Sequence, residues 1–288
     1  MKAAAIVWFE PSEDDYKNYL ALIDYLDYIF IIDNSSVDNS SRVLFSEKIF
    51  YFPQKKNIGI AAAENIAFKK ALEFGCKYLL AMDQDSSFSE YQIKKHLANS
   101  INFLRENNEA SVVASSENII NKEILSSNEK IVEVSSVINS GSIFSLEKWS
   151  RTSGFREDYF IDLVDHEICC QLRKLGLRVY VNLDIEMNHK LGQTKNFSFF
   201  GRSFISTGHN ALRQYYYARN ALSFRNSYPE FSKPRKIFIK ETVIKLLSFF
   251  YEDKTFKKLF GFSLGCIDFY RGMKGSLEGR RFFNYLRN

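Results

Sequence analysis

The sequence lacks the features that mark secreted, disulfide-linked or membrane-spanning proteins. Its 288 residues include only four cysteines, which form no CxxC pair, so the pattern argues against a disulfide framework or a zinc knuckle and predicts buried free thiols. No apolar run approaches the roughly 18 residues that a membrane helix requires. Residues 1–15 turn acidic after a short apolar run, which favours a first strand over a signal peptide. Together these absences predict a cytoplasmic protein.

Acidic residues are scarce in the C-terminal part of the chain. Residues 201–288 contain 17 Lys and Arg against 6 Asp and Glu, whereas residues 1–200 contain 22 against 28. A basic region on a mildly acidic body predicts a negatively charged partner, such as nucleic acid or the anionic face of a membrane. The overall composition, 45% hydrophobic and 25% charged, is that of a soluble globular protein with one large core and a smaller additional region.

Apolar runs alternate with helical patterns over the first 115 residues. The runs predict strands at 3–9, 28–33, 48–52, 77–83 and 111–116, and the patterns predict helices at 61–74 and 90–107, with helix-like spacing also at 16–25. Because each strand is apolar along its whole length, we expect a parallel sheet that is covered on both faces. Ligands of such sheets bind beyond the carboxyl ends of the strands, where Asp33 and Asp83 lie.

The pattern changes after residue 115, although no internal repeat or low-complexity linker interrupts the chain. Residues 130–145 are rich in β-forming residues, 155–176 predict a loop followed by a helix, 177–192 predict a strand, and 193–209 predict a loop. A helical, basic and aromatic region begins at residue 211. Within it, Lys and Arg alternate with apolar residues over 233–258, which is typical of an interfacial amphipathic helix but also of a helix that packs on the rest of the protein.

Two carboxylates close the predicted strand 77–83, in the tripeptide Asp83-Gln84-Asp85. Carboxylates this close repel each other unless a cation lies between them or they project apart. Mg²⁺ and Mn²⁺ prefer oxygen ligands and keep sites for phosphate oxygens, so the motif predicts a divalent metal site. The alternative is an ordinary turn cap, because Asp and Ser favour strand ends and helix N-termini.

Small residues mark a loop–helix junction at 57–65. Gly59 and the alanines that follow it indicate backbone N–H groups that a ligand can approach closely. The alternative for Gly59 is an ordinary turn.

A second polar cluster opens the helix predicted within 155–176. In a helix, Asp162, Asp165 and His166 would share one face, and Glu167 would lie about 100° further round. One of these carboxylates is predicted to act as a general base. The alternative is a set of acidic residues that complements the positive end of the helix dipole. His189, at the end of a predicted strand, is a candidate metal ligand or a structural histidine.

Other classes of protein fit parts of this pattern. Haloacid-dehalogenase-type phosphatases carry D-x-D-x-T on the first strand, whereas three predicted strands precede Asp83. Nucleotidyltransferases have a similar sheet and metal site, but they carry a Gly-rich basic loop after the first strand, where this chain has Glu-Pro-Ser at 10–12. A non-catalytic polysaccharide-assembly or nucleic-acid-binding protein is disfavoured because the acidic clusters and His189 are all present.

The order of these motifs resembles the family 2 glycosyltransferases of the GT-A fold, and within them the bacterial rhamnosyltransferase-like group that builds surface polysaccharides. The resemblance covers about residues 3–225 and rests on short stretches in the family's order: Asp33, NIGIAAAEN, LLAMDQDSSF, VINSGSIFS, FIDLVDHEICCQLRKLG, NHKLG and YYYARN. It implies an α/β GT-A fold with a mostly parallel, Rossmann-like sheet. The implied domains are a catalytic domain at 1–210, with a nucleotide-binding half at 1–115 and an acceptor half at 116–210, and a helical basic C-terminal region at 211–288.

The resemblance also implies roles for individual residues. Nucleotide and donor binding falls on Phe9, Asp33, Asn57, Gly59, Asp83 and Gln84. The metal, Mn²⁺ or Mg²⁺, would be held by Asp83, Asp85 and His189. The catalytic base would be Asp165, in a VDHE stretch where Val164 replaces the family's usual first acid. The acceptor side would include Ser140, Gly141, Asp162, Glu167 and Arg219.

The implied reaction is a metal-dependent, inverting transfer of a sugar from a nucleotide-sugar donor. The usual donor of the group is dTDP-rhamnose, and a UDP-hexose or a galactofuranose donor is the alternative. The implied acceptor is a lipid-linked saccharide of a surface polysaccharide such as O-antigen or capsule, which predicts a peripheral protein at the anionic inner face of the cell membrane. Nucleic acid is not expected as a partner, and the oligomeric state is left open.

Overall fold

The computed structural model describes residues 1–116, 129–189, 195–199, 202–206 and 208–287. The chain divides into two compact units. The first unit comprises Met1–Glu157 and Val164–Lys190, and the second comprises Asp158–Leu163 and Leu191–Asn288. The short segment Asp158–Leu163 therefore belongs with the C-terminal helices, although both of its ends continue into the first unit. The domain division at residue 210 stays a prediction.

The first unit is built on a mixed, mostly parallel sheet. Its strands and the short pair beside it are β1 (Lys2–Trp8), β2 (Tyr28–Asp33), β3 (Ile49–Pro53), β4 (Tyr78–Asp83), β5 (Ser86–Ser87), β6 (Ala110–Ser115), β7 (Ile131–Val134), β8 (Ser142–Ser145), β9 (Arg178–Asn182) and β10 (Asn188–His189). The large sheet has the order β3-β2-β1-β4-β8-β6-β9-β7, and β10 pairs with β5. The strands β3, β2, β1 and β4 are parallel, as are β6 and β9.

Strand β8 is the departure from the predicted parallel sheet. It lies between β4 and β6 and is antiparallel to both. Edge strand β7 is also antiparallel to its neighbour β9. The strands predicted within the first 115 residues are all present, and the α/β fold with a mostly parallel sheet is confirmed.

Helices cover both faces of this sheet. They are α1 (Ile60–Glu73), α2 (Glu90–Glu106), α3 (Leu146–Trp149) and α4 (Val164–Lys174). Successive side chains of a strand point to opposite faces. Ile31 packs in one buried cluster with Ile93 of α2, whereas its neighbour Phe30 packs on the other face against Phe74, at the end of α1, with ring centroids 5.3 Å apart. The wholly apolar strands are therefore explained by burial on both faces.

The second unit contains a hairpin and a group of helices. Its elements are β11 (Lys195–Phe199), β12 (Arg202–Ser206), α5 (Ala211–Ser227), α6 (Arg235–Ser248), α7 (Thr255–Tyr270) and α8 (Phe283–Arg287). Helices α5 and α7 approach closely where α7 carries Gly261 and Gly265. A Cβ atom at these glycines would lie 2.3 Å from the carbonyl oxygen of Ala211 and 2.2 Å from that of Tyr215. The helical C-terminal region predicted from residue 211 is present.

Three local predictions were wrong. Residues 16–25 form no α-helix but contain 3₁₀ turns at Asp15–Lys17 and Leu20–Leu22. The side chains of Asp15 and Asn18 bond instead to the backbone N–H of Ser12 and the carbonyl of Gln84. Residues 193–209, predicted as a loop, contain the hairpin β11–β12. The predicted helix 233–258 ends at Ser248, and Lys254 adopts a left-handed φ of 58° before α7 begins.

No helix in the part of the chain that the structure describes is long and apolar enough to cross a bilayer.

Candidate active site

The carboxyl ends of β2 and β4 meet at one edge of the sheet, as predicted. Strand β1 lies between them, with Trp8 opposite Asp33 on one side and Val7 opposite Asp83 on the other. The two aspartates therefore lie at almost the same level of the sheet. After Asp83, Gln84 and Asp85 form a turn into β5, and all three side chains of this motif are partly exposed.

Ser140 holds the turn that carries the two carboxylates. The backbone N–H of Asp83 donates to Ser140 Oγ at 3.0 Å, and the Ser140 hydroxyl donates to Ser86 Oγ at 2.9 Å. Ser140 therefore contacts the chain on both sides of the turn. The predicted acceptor-side role of Ser140 stays a prediction, and these two contacts are with the turn that carries Asp83, Gln84 and Asp85.

Gln84 joins the end of β4 to the end of β1. Its Oε1 accepts from the backbone N–H of Phe9 at 2.7 Å, and its Nε2 donates to the Phe9 carbonyl at 3.3 Å. The Gln84 carbonyl in turn accepts from Asn18 Nδ2 at 2.6 Å. The amide of Gln84 is therefore engaged within the protein, whereas Phe9 is 41% exposed at the same edge of the sheet.

Asp33 is buried and its carboxylate is engaged by neighbouring groups. It accepts from the backbone N–H of Ser35 at 2.8 Å, from Asn39 Nδ2 at 2.8 Å and from the Tyr51 hydroxyl at 2.7 Å. Burial and the hydrogen bond to Asp33 raise the pKa of Tyr51. In this structure Asp33 organises the loop after β2, and its predicted contact with a nucleobase stays a prediction.

The loop–helix junction before α1 contains Gly59, as the sequence indicates, with its backbone in the left-handed region of φ. Gly59 has a φ of 88°, which favours glycine. Its N–H donates to Asn57 Oδ1 at 2.9 Å, and its carbonyl accepts from Asn34 Nδ2 at 3.2 Å. The N–H of Gly59 is thus used by Asn57, and a ligand contact at this junction stays a prediction.

Glu64 is the site residue that the sequence analysis missed. It lies in α1 with only 4% of its surface exposed, and Asn139 Nδ2 donates to both of its carboxyl oxygens, at 2.9 and 2.8 Å. Burial, followed by the charge of Asp83 and then that of Asp165, raises the pKa of Glu64 well above its usual range, against the Asn139 hydrogen bond. The carboxyl groups of Asp83 on β4 and of Asp165 on α4 are therefore each within electrostatic reach of Glu64 on α1. An acid inside the small, apolar stretch AAAEN was the available signal.

Gly141 fits where no other residue would. Its φ is 75°, and a Cβ atom would lie 2.7 Å from both Met187 Sδ and Ser115 Oγ. Its N–H donates to the Ala81 carbonyl at 2.8 Å, and its own carbonyl contacts His96 Nε2 at 3.0 Å. Gly141 therefore fixes the strand ends behind the turn that carries Asp83 and Asp85, while an acceptor contact stays a prediction.

Helix α4 presents Asp165 in its first turn. Asp165 is partly exposed. Glu167 is buried and accepts from Gln171 Nε2 at 2.8 Å, while His166 Nδ1 contacts Ser136 Oγ at 2.9 Å. Asp165 is thus the more accessible of the two carboxylates in this turn, and its role as a base stays a prediction.

Asp162 does not share a face of α4 with Asp165, because the helix begins at Val164. That prediction was wrong: Asp162 has a left-handed φ of 67°, which no helix residue adopts. Its carboxylate accepts from Arg213 Nε at 3.0 Å, within the second unit.

Arg219 is buried, and its guanidinium is bound to backbone carbonyls of the second unit. It donates to the carbonyls of Gly275 at 2.6 Å, Asp158 at 2.9 Å and Tyr159 at 3.1 Å. Its guanidinium also lies 5.1 Å from the ring centroid of Tyr216. These contacts describe a structural anchor, and an acceptor contact by Arg219 stays a prediction.

Comparison with known proteins identifies the family. The model of the family Glycosyl transferase family 2 matches residues 17–178, more than half of the chain. The chain belongs to glycosyltransferase family 2. This transferase is 28% identical over 262 residues to the dTDP-rhamnosyl transferase RfbF of Shigella flexneri, covering 85% of each chain. The predicted family is confirmed, and the phosphatase and nucleotidyltransferase alternatives are set aside.

One solved structure in particular confirms the fold. GalNAc-T7, crystallised with UDP, GalNAc and Mn²⁺, matches with a TM-score of 0.56 at 11% identity, over 82% of this chain and 53% of that chain. Staphylococcus aureus TarS matches with a TM-score of 0.47 at 13% identity, over 78% of this chain and 40% of that chain. The family 2 chain thus spans about half the length, or less, of these solved chains.

The oxygen ligands available at the end of β4 are suited to a hard divalent cation. Asp83 and Asp85 supply carboxylate oxygens, which Mg²⁺ and Mn²⁺ prefer. His189 is hydrogen-bonded in register opposite Ser86, one residue from Asp85, and its side chain lies outside the described part of the structure. Among the described residues, no group of three or more His, Cys, Asp or Glu side chains is arranged to hold a metal.

Proposed function

We propose that this family 2 transferase moves L-rhamnose from dTDP-rhamnose to an acceptor hydroxyl, with inversion at the anomeric carbon and with the aid of Mn²⁺ or Mg²⁺. The observation that carries this proposal is the grouping of acidic residues at one edge of the sheet: Asp83 ends β4 there, and the buried Glu64 of α1 is within electrostatic reach of both Asp83 and Asp165. The expected metal ligand and the expected base, 82 positions apart in the sequence, thus act on the same buried group. The identity to a dTDP-rhamnosyl transferase supports the choice of donor.

Asp165 acts as the general base in this proposal. It takes the proton of the acceptor hydroxyl while the acceptor oxygen bonds to the anomeric carbon from the side opposite the diphosphate. The bond between the anomeric carbon and the diphosphate oxygen breaks in the same step, and the nucleoside diphosphate leaves with the electron pair. A divalent cation held by Asp83, Asp85 and His189 would neutralise the charge that builds on that leaving group.

The proposed acceptor is a lipid-linked saccharide at an anionic membrane surface. The first turns of α6 support this choice, because basic and apolar side chains are exposed together there: Arg235, Lys236, Ile237, Ile239 and Lys240. A basic surface gains free energy near anionic lipid, and exposed apolar side chains gain it by entering the interface. The same face would bring the enzyme to a membrane-anchored substrate.

Asp165→Asn tests the proposed base. The substitution preserves shape but removes the proton acceptor, so we expect kcat to fall by about 10²–10⁴-fold. Donor binding, measured by calorimetry with dTDP and Mn²⁺, should stay within about threefold of wild type, because a general base contributes to the transition state rather than to donor binding. The matched control is Asp24→Asn, an exposed aspartate in the same unit, which should leave kcat unchanged.

Wild-type turnover by folded Asp165→Asn would show that another group is the base. The donor is tested separately, by measuring the nucleoside diphosphate released from dTDP-rhamnose, UDP-galactose, UDP-glucose and UDP-galactofuranose, each with Mn²⁺ and with EDTA. We expect dTDP-rhamnose with Mn²⁺ to give the highest rate. Turnover of a UDP-sugar without turnover of dTDP-rhamnose would contradict the proposed rhamnose donor. Equal rates with Mn²⁺ and with EDTA would contradict the proposed metal dependence.

A further inference from the structure

Residues 158–163 form a strained segment directly before the helix that carries Asp165. Three of these residues, none of them glycine, have left-handed backbone: Phe160 with φ 67°, Asp162 with φ 67° and Leu163 with φ 62°. Each left-handed residue of this kind costs about 1–3 kcal/mol and persists only when its surroundings hold it. We call Asp158–Leu163 the lead-in segment.

The strain includes a very tight turn. The N–H of Ile161 donates to the carbonyl of Tyr159 at 2.8 Å, which closes a three-residue turn around Phe160. With a positive φ at its central residue, this contact has the form of the γ-turn that is rare and strained. The turn therefore needs partners outside the segment itself.

Asn220 of α5 is one such partner. Its Nδ2 donates to the carbonyl oxygens of Tyr159 at 3.0 Å, Ile161 at 2.7 Å and Asp162 at 3.0 Å. Its Oδ1 accepts from Arg219 Nε at 3.2 Å, and its side chain is buried. One amide thus spans three carbonyls of the lead-in segment, and its orientation is set by Arg219.

Other contacts of the segment are less selective. Arg219 donates to two carbonyls of the segment, but it also binds the Gly275 carbonyl, so its loss would disturb a distant part of the second unit. The ring of Phe160 stacks on Tyr216, with centroids 5.0 Å apart and planes 21° apart. Within the described part of the chain, the hydrogen bonds of the Asn220 side chain go to the segment and to its neighbour Arg219 on α5.

We infer that Asn220 is a positioning residue for glycosyl transfer, because its amide holds the lead-in segment in the left-handed backbone from which the helix of Asp165 starts. The inference rests on the proposed function, in which Asp165 is the base. A displacement of about 1 Å in a reacting group lowers a rate by about 10²-fold. A loosened segment would displace the first turn of α4 while the donor-binding residues on the sheet keep their places.

Asn220→Ala in the full-length protein tests the inference. We expect kcat to fall by about 10²-fold and the KM for the nucleotide sugar to stay within about threefold. Hydrogen exchange should become faster in peptides that cover residues 158–165 and stay unchanged in peptides that cover β1 and β4. The control is Asn226→Ala, an exposed asparagine of the same helix, which should change neither quantity.

A milder variant keeps the test decisive if Asn220→Ala does not fold. Asn220→Ser retains one hydrogen-bond donor, so we expect kcat to fall by about tenfold. Hydrogen exchange in residues 158–165 should be faster than in wild type, but slower than in a segment without this hydrogen bond. Wild-type kcat, or a loss of kcat without faster exchange in this peptide, overturns the inference. The proposed function fails on a different result, namely wild-type turnover by Asp165→Asn.

Discussion

His96 is a buried histidine whose two ring nitrogens are both used inside the first unit. Nε2 contacts the Gly141 carbonyl at 3.0 Å, and Nδ1 contacts Ser100 Oγ at 2.9 Å. A carbonyl can only accept, so Nε2 carries the proton and the Ser100 hydroxyl donates to Nδ1. Burial lowers the pKa of His96 to about 4, against the hydrogen bond to Gly141. The ring therefore remains neutral behind the loop that holds Asp83.

This neutral ring predicts a pH dependence of stability. In the unfolded chain the histidine takes up a proton below about pH 6.5, whereas in the folded protein it does so only near pH 4. The free energy of unfolding should fall as the pH drops from about 6.5 to 4, by at most about 3 kcal/mol from this residue. The free energy of unfolding, measured by urea denaturation at several pH values, should fall less steeply with decreasing pH for His96→Gln than for wild type. Equal pH dependence in the two proteins would contradict the prediction. The pKa of His209 is also lowered to about 4, but this residue is present in both proteins and cancels in the comparison.

The pair of helices α5 and α7 makes a prediction at the scale of elements. Alanine is favoured over glycine inside a helix by about 1 kcal/mol. At Gly265, however, a Cβ atom would lie 2.2 Å from the Tyr215 carbonyl oxygen, so the two helices would have to separate. Overpacking of this kind costs about 1–3 kcal/mol or more, and we expect the clash to exceed the gain in helix propensity.

Gly265→Ala should therefore lower the free energy of unfolding by about 1–2 kcal/mol, measured by urea denaturation. The matched control is Ser263→Ala on the exposed face of α7, which should change stability by less than about 0.5 kcal/mol. A Gly265→Ala protein as stable as wild type would show that α5 and α7 can separate without loss.

At the scale of the whole molecule, positive charge is concentrated in the C-terminal part of the chain. Residues 201–288 carry a net charge of +11, from 17 basic and 6 acidic residues. We expect the protein to float with vesicles that contain anionic lipid, and to be released by salt. Each Lys near such a surface contributes about 1 kcal/mol, so Lys236→Ala/Lys240→Ala should weaken binding by about tenfold or more at low ionic strength.

Two exposed lysines of the first unit provide the control for this membrane prediction. Lys69→Ala/Lys77→Ala removes the same charge from another surface and should reduce binding much less. Equal loss in both double variants would indicate a general effect of net charge. No flotation of the wild-type protein with anionic vesicles would remove the membrane surface from the proposed function.

Local pattern was a good guide to single elements. The run YIFIID predicted β2 at its observed bounds, and Asp33 and Asp83 end parallel strands at the same edge of the sheet. The pattern was a poor guide to how polar side chains are used at that edge. Gln84 bonds to Phe9, and Asp33 bonds to groups of its own loop, because each satisfies a nearby backbone or side-chain group that burial would otherwise leave without a hydrogen bond.

The sequence by itself determined the alternation of apolar strands and helices, the family, and the candidate carboxylates, because these depend on neighbours a few positions apart. Only the tertiary structure decided that β8 enters the sheet antiparallel, that Glu64 lies within reach of Asp83 and Asp165, and that Asn220 holds a segment about sixty residues away. Such contacts depend on which elements pack together. Burial raises the pKa of the Glu64 carboxyl and directs the Asn220 amide to three backbone carbonyls. The periodicity of the sequence does not predict either effect.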